Sequence, residues 1–340
     1  MSIASESLLV PVIDLTNTAQ THPHHARQIR RLGAGVILTL LLSLLLMPVR
    51  AQEAPAEPED PQPRPRPQPV QTLSADGLTA NLYFGALTQG QVGLVHLTGD
   101  GIRSARALLR TREYEFQPGP DGWYTLVVAD IDAVARDYPL SILAQREDGQ
   151  LSSLEARLTI NAAGFLRQGF SVPADRAFLT DPEVERYEFA RIDLMTLERR
   201  PDWLWEPGGF QLPIGSDFTS GFGQYRILNQ NSITRHTGWD QRAPVGTPVG
   251  AMAGGEVVFA GQLDIRGNYV LIDHGWGVYS GYAHLSQINV AVGQMIERGQ
   301  LLGLSGNTGR SSGPHLHWEI NVHGEWVDGV AFLEMWLPGT

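Results

Sequence analysis

Apolar residues along this chain are grouped in four ways, and each grouping predicts a different kind of element. The first is an unbroken run from Leu32 to Val49, rich in Leu and preceded by Arg27, Arg30 and Arg31. A basic flank, a hydrophobic stretch and then Val49-Arg50-Ala51 have the form of a secretory signal cleaved after Ala51. The run is also just long enough to stay in the bilayer as an uncleaved signal anchor. In either case residues 1–51 direct the rest of the chain beyond the cytoplasmic membrane, to the periplasm, the envelope or the medium. His22, His24 and His25 fall in this leader and read as solvated residues rather than as a metal cluster. Residues 52–70 follow with almost no large apolar group and a high density of Pro, the composition of an extended spacer.

From about residue 71 to 165 the apolar positions alternate with period two in short runs: Gln91–Leu97, Trp123–Val128, Leu140–Gln145 and Ser153–Ile160. Glu147-Asp148-Gly149 between the last two predicts a hairpin. Short strands separated by turns over this length predict a small immunoglobulin-like β-sandwich. Between 166 and 205 the period changes. Thr180-Asp181-Pro182-Glu183 supplies a cap, a first-turn proline and a capping-box glutamate, and Arg199-Arg200-Pro201 a stop. Val184, Tyr187, Ala190, Leu194 and Leu197 recur at three- and four-residue steps, predicting a helix that packs on that face. From 206 to 340 the pattern is β-rich and Gly-rich. Strands are predicted at Val257, Tyr269–Asp273, Val278–His284, Leu301–Leu304 and His315–Val322. The expected fold class is all-β: a sandwich, a helical connector and an antiparallel, barrel-like C-terminal domain.

Composition narrows the chemistry. The 340 residues carry 25 basic and 36 acidic side chains, a net charge of −11. Without the leader the balance is more acidic still, and no basic patch remains to track phosphates, so a nucleic-acid partner is not expected. An acidic exported protein also gains no electrostatic attraction to an anionic wall, so affinity must come from a shaped site. Cysteine is absent, which removes disulfides, thiolate-bound zinc and thiol nucleophiles.

Six of the ten histidines lie after residue 235. His315 and His317 are two apart in a predicted strand, so both imidazoles face one side about 7 Å apart while Leu316 faces the core. His236-Thr-Gly-Trp-Asp240 offers a second His with a carboxylate; a capped turn with a chance histidine would read the same way. Tyr282-Ala-His284-Leu285 ends a predicted strand and by itself reads better as a core or hydrogen-bonded histidine. His274 reads as a locally hydrogen-bonded hairpin residue and His323 as a surface turn.

His236-x-Gly-x-Asp240, Tyr282-Ala-His284-Leu285 and Gly313-Pro314-His315-Leu316-His317-Trp318-Glu319, in this order, resemble the lysostaphin/LytM-type zinc endopeptidases. The connecting phrases Ala243–Val249, Gly267–Gly275, Gly299–Gly303 and Gly306–Gly309 are similar as well. The resemblance covers roughly Phe210 to Phe332, and the segment before it looks like the accessory domain of some exported members. It implies Zn2+ held by His236, Asp240 and His317, with His284 and His315 as catalytic groups and peptidoglycan peptides as substrate. The chemistry of such a site agrees: a neutral histidine can deprotonate a water on the metal while the other donates to the oxyanion or protonates the leaving amine. The sequence does not fix which does which; His284 is the preferred base, with His315 as polariser. Some members carry a tyrosine shortly before the first ligand, where this chain has Asn229-Gln230-Asn231. The alternative reading is a non-catalytic LytM-like regulator that activates a wall amidase. Such domains lose ligands or catalytic histidines, and this chain keeps all five. A carbohydrate-binding module is a third reading. The segment 166–215 is a further expectation, as a cover over the cleft.

Overall fold

Alternation between inward and outward side chains shapes residues 71–161 into two five-stranded sheets. This is seen in a computed structural model that describes residues 62–340 apart from Arg199, Gln230 and Asn231. The apolar run at 32–49, the leader histidines and the start of the Pro-rich segment lie outside the described residues. Among the described residues no helix is long and apolar enough to cross a membrane. The hairpin expected around Glu147-Asp148-Gly149 joins Arg136–Arg146 to Leu151–Asn161, with Gln145 opposite Leu151 and Gly149 at a φ of +86°. Leu154, Ala156, Leu158 and Ile160 point inward along the second strand, as period two requires. They share an apolar core with Leu94, Leu97 and Leu126 of the other sheet.

The Pro-rich segment does not stand away from the body over its described part. The Arg64 guanidinium donates to the carbonyls of Leu333, Glu334 and Met335, and Trp336 Nε1 donates to the Arg64 carbonyl. These are the orphan carbonyls at the end of the Gly329–Leu333 helix, and a cation is the natural group to satisfy them.

The C-terminal part is built on an eight-stranded antiparallel sheet. Its central strands, Val278–Leu285 and His315–Val322, are buried along their whole length because both faces are covered. Leu316, Trp318, Ile320 and Val322 face the main core. His315, His317 and Glu319 face the other way, toward the helix Pro182–Met195, where Ile192 packs with Leu263, Tyr269, Leu271 and Tyr279.

That helix corrects one expectation. Asp181 caps it, accepting from the Glu183 N–H, and it stops at Met195, short of the expected Arg199-Arg200-Pro201. More importantly, it is turned. Tyr187, Leu194 and Leu197 are 65–70% exposed, whereas Glu188 is buried beside Ile192. The Glu188 carboxylate accepts from the backbone N–H of Ile265 and Arg266 and from the Arg266 guanidinium. Glu185 pairs with Arg310 at 2.6 Å. Two carboxylates with buried cationic partners thus outweigh the apolar stripe, since leaving those arginines unpaired in the interior would cost more than exposing the stripe.

Candidate metal centre

The site begins with strand register. Trp239–Arg242 pairs antiparallel with His315–Val322 so that Asp240 lies directly opposite His317. His236 arrives from the turn just before. Gly238 in that turn is required, because a Cβ there would sit 2.2 Å from the Trp318 carbonyl oxygen. This close approach explains the spacing of the H-x-G-x-D motif. His236 Nε2, Asp240 Oδ1 and His317 Nδ1 form a triangle with edges of 2.9, 3.0 and 3.0 Å.

His284 reaches the same place by an irregularity. Simple alternation after Ala283, which packs on the His317 face, would send His284 to the opposite side. Between the pairs Asn268–Leu285 and Val270–Tyr282, however, two residues stand opposite one. This is a β-bulge, and His284 takes the left-handed conformation there with φ of +61°. Its ring centroid ends 4.7 Å from that of His315 and 5.9 Å from that of His317. A left-handed non-glycine residue is a local strain that the surrounding sheet holds in place.

The four imidazoles are oriented alike. His236 Nδ1 donates to the Gly221 carbonyl at 2.6 Å, His284 Nδ1 to Thr308 at 2.8 Å and His315 Nδ1 to Gly313 at 2.8 Å. His317 Nε2 donates to Glu319 Oε2 at 3.1 Å. Because each of these partners can only accept, the proton sits on that nitrogen and the other nitrogen turns toward the centre. His315 Nε2 is buried there without a hydrogen-bond partner, 3.5 Å from Asp240 Oδ1.

Electrostatics sharpen the picture. Burial alone would raise the Asp240 carboxyl, but the Arg226 guanidinium and His236 hold it well below the ordinary carboxylate range. Burial, reinforced by Arg226, pushes His236 down to about 4, and burial with His315 pushes His284 well below its usual value. Burial opposes a charge on His317 too, yet its hydrogen bonds to Asp240 and Glu319 leave its pKa raised.

The residues fit a zinc ion. A triangle with edges near 3 Å has a point about 2 Å from each corner, the length of Zn–N and Zn–O bonds. The donors are two imidazoles and a carboxylate, with an open side toward His284 and His315. His236, Asp240 and His317 are a group among the described residues able to hold a metal. All five residues expected from the sequence therefore meet at one point.

Sequence reasoning missed three charged residues around them. Arg226 pairs with the second oxygen of Asp240, and nothing in its local pattern marks it. Glu319 and Arg266 form a buried pair behind His317, with Arg266 Nε 2.5 Å from Glu319 Oε1. Glu319 could have been found, since it stands two residues beyond His317 in the same strand. On one side of the site a cavity of about 300 Å³ is lined by Phe170, Thr219, Arg226, Asp240, Gly313 and His315. On the helix side only about 30 Å³ remains beneath Phe189 and Arg310.

His274 is separate from this group, and His323 is buried against Tyr114 rather than on the surface. His274 Nδ1 donates to the Gly254 carbonyl and its Nε2 lies 2.7 Å from Ser280 Oγ. Burial pushes its pKa down to about 4. The unfolded chain takes up this proton near pH 6.5, the native chain only near pH 4. Stability is therefore complete above 6.5 and falls toward 4, by about 3 kcal/mol in all. His274→Asn is expected to remove this slope, so its urea midpoint should change less between pH 7 and 4.5 than the wild type's. Equal changes in the two proteins would show that His274 does not carry it.

Comparison with known proteins agrees with this geometry. Residues 234–329 match Peptidase family M23. The chain is 47% identical over 98 residues to the peptidoglycan DD-endopeptidase ShyA of Vibrio cholerae, a stretch covering 29% of this chain and 23% of that protein. It is 42% identical over 134 residues to the DD-carboxypeptidase/endopeptidase Mpg of Neisseria meningitidis, covering 38% and 30%. The matched part thus spans less than a third of either relative. A solved structure of a candidate M23 peptidase from Pseudomonas aeruginosa superposes with a TM-score of 0.54 at 24% identity, over 72% of this chain and 94% of that one. That likeness of fold extends well beyond residues 234–329. The chain carries a peptidase family M23 domain.

Proposed function

We propose that this protein is an exported, zinc-dependent endopeptidase that hydrolyses peptide bonds of peptidoglycan. The observation that carries the reading is the 2.9–3.0 Å triangle of His236 Nε2, Asp240 Oδ1 and His317 Nδ1, with two further imidazoles turned into the same space. Zinc held there would polarise the scissile carbonyl and lower the pKa of a water toward about 7. His284, its Nδ1 proton committed to Thr308, has Nε2 free to accept the water's proton. The proton that His284 removes from the water then passes to the leaving amine, while His315, beside Asp240, would donate to the carbonyl oxygen from Nε2 after taking a proton there from solvent. The peptide enters from the 300 Å³ side, past Phe170 and Gly313. The DD-endopeptidase ShyA and the DD-carboxypeptidase/endopeptidase Mpg favour, by similarity, a D-amino-acid cross-link over a glycyl-glycine bridge. Export follows from the basic flank and apolar run of the leader.

The test is to purify the protein, measure bound zinc, and analyse by mass the fragments released from walls of each cross-link chemistry. About one zinc per chain with release of peptide fragments is expected. No zinc and no release, alongside stimulation of a wall amidase, would replace this reading with the regulator. Wall binding that survives His317→Ala, without hydrolysis by the wild type, would replace it with a binding module.

A further inference from the structure

Glu188 is 1% exposed on a helix that turns Tyr187 and Leu194 to solvent. Its carboxylate takes the N–H of Ile265 at 2.6 Å, the N–H of Arg266 at 3.1 Å and Arg266 Nη1 at 3.0 Å. The remaining guanidinium nitrogens go to Glu319: Nε to Oε1 at 2.5 Å and Nη2 to Oε2 at 2.9 Å. Glu319 also accepts from Thr237 Oγ1 at 2.6 Å and Tyr269 Oη at 2.8 Å, and meets His317 Nε2 at 3.1 Å. A continuous buried path therefore leads from the helix to the back of one corner of the candidate metal triangle.

We propose that Glu188 is a positioning residue of the metal centre, acting through Arg266 and Glu319 on His317. The 182–195 helix is thereby a fixed wall of that centre rather than a detachable cover. This rests on the zinc reading above.

Two physical effects point the same way. Arg266 is held at both ends, and losing Glu188 frees the end away from Glu319, so the carboxylate that aims His317 loses its fixed partner. Glu188 also balances Arg266. Without it a buried guanidinium is shared with one carboxylate instead of two, adding positive charge beside a site meant for a cation. The helix and the 174–180 turn before it are held in the same manner: Arg310 donates to Glu185 of the helix and to the Leu179 carbonyl of the turn, and Arg176 of the turn to the carbonyls of Asn307 and Gly309. A cover that leaves with substrate would have to break all of these. The 300 Å³ cavity on the other side gives entry without doing so.

The experiment compares zinc affinity, by competition with a chromophoric chelator, in the wild-type chain, Glu188→Gln, Glu188→Asp and Ile192→Ala. Ile192 is buried in the same helix within an apolar cluster and makes no side-chain hydrogen bond to the Glu188–Arg266–Glu319 path, so it reports simple destabilisation. Glu188→Gln is expected to weaken zinc binding about 10- to 100-fold without raising peptidase activity, and Glu188→Asp to recover part of the loss. Ile192→Ala should lower the Tm with zinc affinity within about twofold of wild type. Should Gln at 188 prevent folding, the Asp variant carries the same comparison. Wild-type affinity in the folded Glu188 variants, a loss no larger than in Ile192→Ala, or a rise in activity with zinc retained would overturn the proposal. A wild-type chain that binds no zinc would instead bring down the zinc reading on which it rests.

Discussion

Alanine in place of His317 is expected to leave the purified protein without zinc and without measurable release of peptides from peptidoglycan. His317 supplies one of three donors, and its Nδ1 lies 3.0 Å from Asp240 Oδ1 and 2.9 Å from His236 Nε2. No other imidazole can swing in to replace it, since His284 and His315 are tied to backbone carbonyls on their far sides. On the proposed reading, losing the ion would remove the chemistry it supplies, so activity should fall by ~1000-fold or more, about 4 kcal/mol of barrier. Asp240→Ala should give the same two results with a larger loss of thermal stability. It strands the Arg226 guanidinium in a buried position beside the empty corner. Metal analysis and melting curves decide the matter. A full equivalent of zinc in His317→Ala would show that the ion sits elsewhere.

His284→Ala is expected to do the opposite with the metal: zinc stays near one equivalent while turnover falls by about 10²- to 10⁴-fold, the range for removal of a general base. The His284 ring stands outside the three-donor triangle, its centroid 5.9 Å from that of His317. Its removal takes away a proton acceptor and no ligand. Zinc content measured beside the rate of peptide release separates the two roles. Loss of zinc in His284→Ala would reverse the assignment.

Much of this site was legible because two motifs obey local rules. A strand places residues i and i+2 on one face, so His315 and His317 had to share a side, and Glu319 with them. Gly238 marks the close backbone approach that sets His236 and Asp240 against the neighbouring strand. His284 was harder. Its place depends on a bulge opposite Tyr269, and a bulge is a matter of pairing between strands that leaves no periodic trace in either one.

By itself, the order of apolar and polar residues determined that the described chain is built mainly from strands, where the 147–149 hairpin turns, and that one strand would carry two histidines on a single face. These follow from interactions within a few residues. Tertiary structure alone decided which face of the 182–195 helix turned inward. Its apolar stripe pointed to one side, but Glu185 and Glu188 met Arg310 and Arg266 from segments more than 75 residues away and rotated it to the other. The placement of Arg226 against Asp240 was settled likewise. A buried charge needs a partner wherever the fold brings one, and no local periodicity records which distant segment will supply it.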